Sequence, residues 1–293
     1  MSYVFFPGCS LEGTARDFHR STLAVAARLG LDLPEIPDWT CCGSTSAHGC
    51  DALLAAALPA KNLAAAAGKT VAVACASCYS RLKAANHHIT RDPAVRARVA
   101  EVVGGDYDGQ TPVMHLLEIL SRDIGRAKIA AAVEKPLTGL KVACYYGCLL
   151  VRPPEVTRFD DAENPTLMDQ LMEVAGATPV DWPHKTECCG ASASITDPDV
   201  VLELSDRILS MAKAAGVDCI VTACPLCQLN LDMRQKDVEK RFGRRYDLPV
   251  FYFTQLLGLA MGCTAGELSL ASLVVAPGAL LQSKGIGRAE ATR

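Results

Sequence analysis

The chain has 293 residues, half of them apolar, with 29 basic and 32 acidic side chains and a net charge of −3. It can bury a sizeable core and is long enough for two domains of ordinary size. So even a balance leaves no electrostatic footprint for nucleic acid and no basic face for anionic lipid.

The opening, Met1-Ser2 and then an apolar run, lacks the charged, apolar and small-residue order of an export signal. A cytoplasmic location is therefore expected for a chain with fourteen cysteines. Thiols stay reduced there and serve metals or catalysis rather than disulfides. Residues 268–281 are broken by Pro277-Gly278 and too short for a transmembrane segment.

Tyr3 to Phe6 reads as a buried strand, stopped by Pro7-Gly8 with Cys9 immediately after. Apolar residues then recur at helical spacing over 14–29, with Thr14 as N-cap and Gly30 beyond the last turn. The prolines of 33–39 indicate an edge strand or extended loop, which leads to Cys41-Cys42-Gly43. An alanine-rich helix over 52–67, bent at Pro59 and ended by Gly68, precedes a buried strand at 70–74. Cys75 and Cys78 open the helix after it, and 112–118, containing His115, is a strand-to-helix passage.

After a connector at 135–139 the order repeats. A strand ends at Cys148, a helix covers 166–175, and 178–182 leads to Cys188-Cys189-Gly190. A helix to Ala215, a strand at 219–223 and Cys224-Pro225-Leu226-Cys227 follow, and 249–252 matches 112–115. Cys9 and Cys148, Cys41 and Cys188, and Cys75 and Cys224 lie 139, 147 and 149 residues apart, a near-constant shift that marks one fold used twice. The expected class is α/β: two pseudo-repeated cysteine-rich domains, 1–134 and 135–262, with mainly parallel sheets, and a tail at 263–293 read as a docking segment. Ligands of such sheets collect outside the carboxyl ends of strands, where Cys9, Cys75, Cys148 and Cys224 fall.

A Cys-x-x-Cys pair alone is compatible with zinc, an iron-sulfur cluster or a redox dithiol. The adjacent cysteines narrow the choice, because neighbouring side chains diverge and suit two irons of a cluster better than one tetrahedral ion. Zinc is satisfied by four ligands, so a fifth thiolate in each half points to a larger or more open cluster. Gly43 and Gly190 let the backbone turn closely beneath it. A zinc-stabilised scaffold stays open, to be decided by metal analysis.

The doubled pattern resembles the cysteine-rich CCG domain family, specifically the B subunit of heterodisulfide reductase, over roughly residues 1–262. The resemblance implies two noncubane [4Fe-4S] clusters. Cys9, Cys41, Cys42, Cys75 and Cys78 would hold one, and Cys148, Cys188, Cys189, Cys224 and Cys227 the other. It further implies an oxidoreductase acting on a sulfur group of donors. A disulfide, such as the heterodisulfide of coenzymes M and B or a compound of bacterial sulfur oxidation, is cleaved between the clusters. Implied partners, within the same complex, are a ferredoxin-like iron-sulfur subunit and a flavin-containing subunit. No strand is followed by Gly-x-Gly-x-x-Gly, so neither flavin nor NAD is expected on this chain. The alternative within the same family is an electron-transfer or membrane-anchoring subunit of a succinate/fumarate or glycolate/lactate oxidoreductase.

Three further residues are candidates. His115, near a strand end, is placed to deliver a proton to a departing thiolate, and His184 and Lys185 are placed to meet an anionic substrate. Cys50, Cys144, Cys219 and Cys263 read as core thiols, and His87-His88 as part of a solvated helix face.

Overall fold

The computed structural model describes residues 2–44 and 46–287. Short, almost wholly buried strands form two parallel sheets, one in each half. The first contains β1 (Tyr3–Phe6), β2 (Thr70–Val73) and β3 (Val113–His115) in that order. The second contains β4 (Lys141–Tyr145), β5 (Thr178–Pro179), β6 (Cys219–Thr222) and β7 (Val250–Tyr252) in the order β5-β4-β6-β7. Burial on both faces explains why these strands read as continuous apolar runs. Register brings the last residues level: Phe6 opposes Val73 and Val73 opposes His115, while Tyr145 opposes Thr222 and Thr222 opposes Tyr252.

The edge strand expected at 33–39 is a single bridge between Phe5 and Glu35. Phe5 N–H donates to the Pro34 carbonyl at 2.6 Å and Ile36 N–H to the Phe5 carbonyl at 2.9 Å. It occupies the place of β5 in the second sheet, and Pro34 and Pro37 keep it from lengthening.

The helix expected from Thr14 begins at Arg16, because residues 8–12 form their own helical turn, Gly8–Glu12. It closes at Gly30 in the left-handed conformation, φ 62°. Ala52–Ala65 carries Pro59 within it and is capped by Asp51, which accepts from Leu54 N–H at 2.7 Å. The helix Pro93–Val103 escapes a reading of the sequence, since Val99 is its one buried residue and there is no apolar stripe to see.

The two repeats share one core. Helix Phe253–Ala260 of the second half packs on Arg16–Leu29 of the first: the Phe18 and Tyr252 rings stack at 4.1 Å, and the Ser21 and Thr254 hydroxyls bond at 2.7 Å. Tyr79 donates across the halves to the Thr157 carbonyl at 2.8 Å. The tail, expected as a docking segment, is packed on the second half as far as it is described. Leu268, Leu270, Leu273 and Leu281 are buried, and the Asp232 carboxylate accepts from Val274 and Val275 N–H. Residues 288–293 of that expectation lie outside the described residues. Among the described residues no helix is long and apolar enough to cross a membrane.

Candidate metal centre

Each parallel sheet delivers its cysteines to one end. Gly8 and Gly147, which precede Cys9 and Cys148, both adopt positive φ, +66° and +67°. A Cβ on Gly8 would meet the Cys78 sulfur at 3.0 Å, and one on Gly147 the Cys227 sulfur at 3.1 Å. Both halves thus use glycine for the same two reasons, backbone conformation and room for sulfur. Cys75 and Cys224 are N-cap residues of the helices that follow β2 and β6. Gly43 N–H donates to Cys41 Sγ at 3.4 Å and Gly190 N–H to Cys188 Sγ at 3.3 Å.

The five expected thiols of each half come together. Cys9 and Cys41 sulfurs lie 3.6 Å apart, Cys42 and Cys78 3.3 Å, and Cys189 and Cys227 3.6 Å. Cys148 and Cys188, and Cys75 and Cys224 across the boundary between halves, lie close enough to shift each other's ionisation. The two sets therefore adjoin where the first half meets the cavity of the second, at Ala76 beside Cys75.

Such crowding forces the thiols to share protons. Hydrogen bonds from Cys41 and Cys78 bring the Cys42 thiol down to about 4, and a bond from Cys148 brings Cys188 down to about 6. Cys224 is held well below the ordinary thiol range by Cys227 and Cys75. Their partners shift the opposite way: Cys41 is raised by its bond to Cys42, Cys75 by Cys224, Cys78 by Cys42, Cys148 by Cys188 and Cys227 by Cys189. Ten packed sulfurs cannot all ionise unless something positive sits among them. Five soft donors in each half exceed what a zinc ion takes, and softness and number together fit iron-sulfur chemistry.

The surroundings of the two sets differ. In the second half Cys148, Cys188, Cys189, Cys224 and Cys227 line a cavity of about 60 Å³ that Ala76 of the first half helps to close. Asn230, fully buried, donates to the Cys189 carbonyl at 3.0 Å and to its sulfur at 3.6 Å. In the first half Cys9 is exposed where Cys148 is half-buried, while Cys41 and its match Cys188 are both exposed; the Ser44 and Ser77 hydroxyls bond each other, and Arg81 stands where the second half has Asn230. The sequence reading misses both, although each is the third residue after its Cys-x-x-Cys pair.

The remaining candidates are placed elsewhere or otherwise engaged. His115 is fully buried, its Nε2 is 2.7 Å from the Ala74 carbonyl, and its Nδ1 accepts from Leu117 N–H at 3.2 Å. Burial lowers its pKa to about 4, so the ring is neutral near pH 7. Both nitrogens serve the backbone, and the ring steadies the residue before Cys75.

Lys185 is turned inward, pairing with Asp169 at 3.0 Å and reaching Asn164 Oδ1 at 3.3 Å and the Pro165 carbonyl at 3.4 Å, so its ammonium is not open to a substrate. His184 stacks on Trp182 with ring centroids 6.3 Å apart, and its buried Nδ1 has no hydrogen-bond partner. Neither residue lines the cavity among the second set of sulfurs. Cys144, Cys219 and Cys263 are buried as expected, whereas Cys50, at the end of a short surface helix, is exposed. His87 is half-buried and His88 exposed, on the same helix.

A family model described as a cysteine-rich domain, CCG, matches residues 3–83 and 142–232, and each match encloses one set of five cysteines. The chain is 33% identical over 273 residues to the B subunit of the ferredoxin/F(420)H(2)-dependent CoB-CoM heterodisulfide reductase of Methanosarcina acetivorans, covering 90% of this chain and 91% of that protein. It is 34% identical over 271 residues to the 8-methylmenaquinol:fumarate reductase membrane anchor subunit of Wolinella succinogenes, covering 92% of this chain and 95% of that one. A hypothetical protein from Helicobacter pylori of known structure shares the fold with a TM-score of 0.75 at 12% identity. The match covers 93% of this chain but 51% of that one, so this chain spans about half its length.

Proposed function

The chain belongs to the family of heterodisulfide reductase B subunits, with two cysteine-rich CCG domains, and from that premise we propose that it is the catalytic subunit of a heterodisulfide reductase-like complex, interconverting a disulfide and two thiols. In this reading Cys9, Cys41, Cys42, Cys75 and Cys78 hold one noncubane [4Fe-4S] cluster and Cys148, Cys188, Cys189, Cys224 and Cys227 the other. Bound there, such clusters supply one electron each and an open iron position that accepts a soft sulfur ligand.

The observation that carries the reading is that Ala76, the neighbour of Cys75, lines the cavity formed by the second set of thiols, which sets two five-thiol sites side by side. A disulfide has two sulfurs and takes two electrons, so adjacent one-electron sites match it in number and position. The chain's own part is to hold that arrangement. Gly8 and Gly147 keep the sulfurs unobstructed, and His115 and the N-cap geometry at Cys75 and Cys224 order the strand ends. The apolar core beneath excludes water from one side. Electrons reach the site through two partners in the cytoplasm, one ferredoxin-like and carrying iron-sulfur clusters, the other containing flavin.

Anaerobic purification with iron, acid-labile sulfide and zinc counts, then EPR during titration with candidate disulfides, tests the proposal. The expected result is iron and sulfide in equal amounts and a signal that changes on adding disulfide. Zinc without sulfide would overturn it.

The Wolinella relative supports a second reading, an electron-transfer or membrane-anchoring subunit of a fumarate reductase-type complex. Flotation with lipid vesicles and an EPR signal indifferent to every disulfide would favour it.

A further inference from the structure

The two halves differ in charge at one matched position beside the sulfurs. The third residue after the Cys-x-x-Cys pair is Arg81 in the first half and Asn230 in the second. Each lies one helical turn beyond the pair's second cysteine. In the second half this place reaches the adjacent-cysteine pair, where the Asn230 amide is 3.6 Å from Cys189 Sγ. In the first half Cys78 and Arg81 stand at i and i+3 on the helix Ala76–Arg91, so their side chains are neighbours on one helix face, and the Cys78 sulfur is 3.3 Å from Cys42, the counterpart of Cys189.

Arg81 is otherwise poorly matched. Its Nε is buried with no hydrogen-bond partner, and its bond to the Ser80 hydroxyl is a long one, 3.5 Å. Among the described residues no carboxylate forms an ion pair with it. A guanidinium does not shed its proton, and a half-buried charge without a partner is costly. A negative group beside Cys42 would remove that cost.

We propose that Arg81 is the fixed counter-charge of the first metal centre and makes it the higher-potential centre of the two. This rests on the reading of two iron-sulfur centres. Reducing a centre adds one negative charge to it, and a cation beside it stabilises that state more than a neutral amide dipole does. The first electron to enter the chain therefore rests on the Cys9, Cys41, Cys42, Cys75 and Cys78 side. The second enters on the Cys148, Cys188, Cys189, Cys224 and Cys227 side. Each event moves one electron from an external reductant onto one centre, with no bond made or broken and no proton required. The two sulfurs of a disulfide then meet inequivalent partners.

The test is a potentiometric titration of the full, anaerobically loaded chain with dithionite as reductant, followed by EPR and absorbance after iron and sulfide have been counted. Two one-electron midpoints are expected. Arg81→Asn, which copies the second half, is expected to lower the higher midpoint by about 59 mV or more, a tenfold change in the one-electron equilibrium. Arg81→Lys keeps most of the gap. Arg81→Asn leaving both midpoints in place, or moving the lower one, overturns the proposal.

A second measurement does not depend on any Arg81 variant. Cys189→Ser disables the second centre, and the surviving midpoint must be the higher of the two; survival of the lower one overturns the proposal. A chain that carries no iron-sulfur centre, or a single one, fails instead at the counting stage, and there it is the underlying reading that falls.

Discussion

The two halves carry the same five cysteines on the same parallel frame, yet they treat them differently. In the first half Cys9 faces solvent and the Arg81 cation stands one helical turn beyond Cys78. In the second, Cys148 is half-buried, the sulfurs surround a cavity of about 60 Å³, and a neutral amide stands beside Cys189. The residue closing β3 is His115 with Glu118 in its capping box, and its match closing β7 is Tyr252 with Gln255. Repetition preserves the five candidate ligands, while the differences lie in charge, access and ionisable neighbours. On the proposed reading, ligation is a property of each half alone, and electron order and substrate access belong to the asymmetry between them.

The hardest blow to that comparison is removal of a ligand. Cys42→Ser is expected to lose the first half's iron and with it disulfide reduction, while the second half keeps its metal. Full activity with iron content cut by half would show that one half suffices.

Next in size is a residue whose role exists in the second half only. Lys185 pairs with Asp169 at 3.0 Å inside the fold, whereas the place 147 residues earlier is Asp38. Lys185→Met is expected to cost about 3 kcal/mol in denaturant unfolding, because it strands a buried carboxylate. Disulfide reduction per bound iron should stay unchanged, and a selective rise in KM would restore Lys185 to substrate binding.

His115 offers a pH signature that Tyr252 lacks. Its folded pKa, about 4, lies below the ordinary 6.5, so its contribution is fully present above 6.5. It drains away as pH falls from 6.5 through 4, because the unfolded chain takes a proton that the folded ring refuses. The loss over that window is about 3 kcal/mol. Unfolding measured against pH should show this limb in the native chain and a shallower one in His115→Gln.

Smallest is the matched pair Gly8→Ala and Gly147→Ala. Each places a Cβ against a sulfur and holds a non-glycine residue at positive φ, at about 1–2 kcal/mol. Iron retention under mild chelation should fall in the first half for one variant and in the second half for the other. An equal effect on both halves would mean that the centres are loaded as a unit.

The ligand set, the doubled fold and the strand-end location are legible because each depends on residues close in the chain. Apolar runs of four or five residues announce buried strands, Pro7-Gly8 and Gly147 announce the turns that follow, and cysteine spacing announces chelation. His115, Lys185 and Cys50 are less legible, since composition tells nothing of where a side chain points. A histidine at a strand end reads as an acid, yet both ring nitrogens of His115 lie on backbone groups, and Lys185, which reads as meeting an anionic substrate, has Asp169 beneath it. Residues 93–103 give no periodic signal because so little of that helix is buried.

By itself, then, the sequence determined which atoms can bind metal and that they come in two equivalent sets. Only the tertiary structure decided that the first half closes the second set's cavity through Ala76, beside Cys75, and that the two halves share one core. The reason is range. Chelating spacings and strand patterns are written over a few residues, whereas the meeting of the halves depends on packing such as Phe18 against Tyr252, between residues with most of the chain between them.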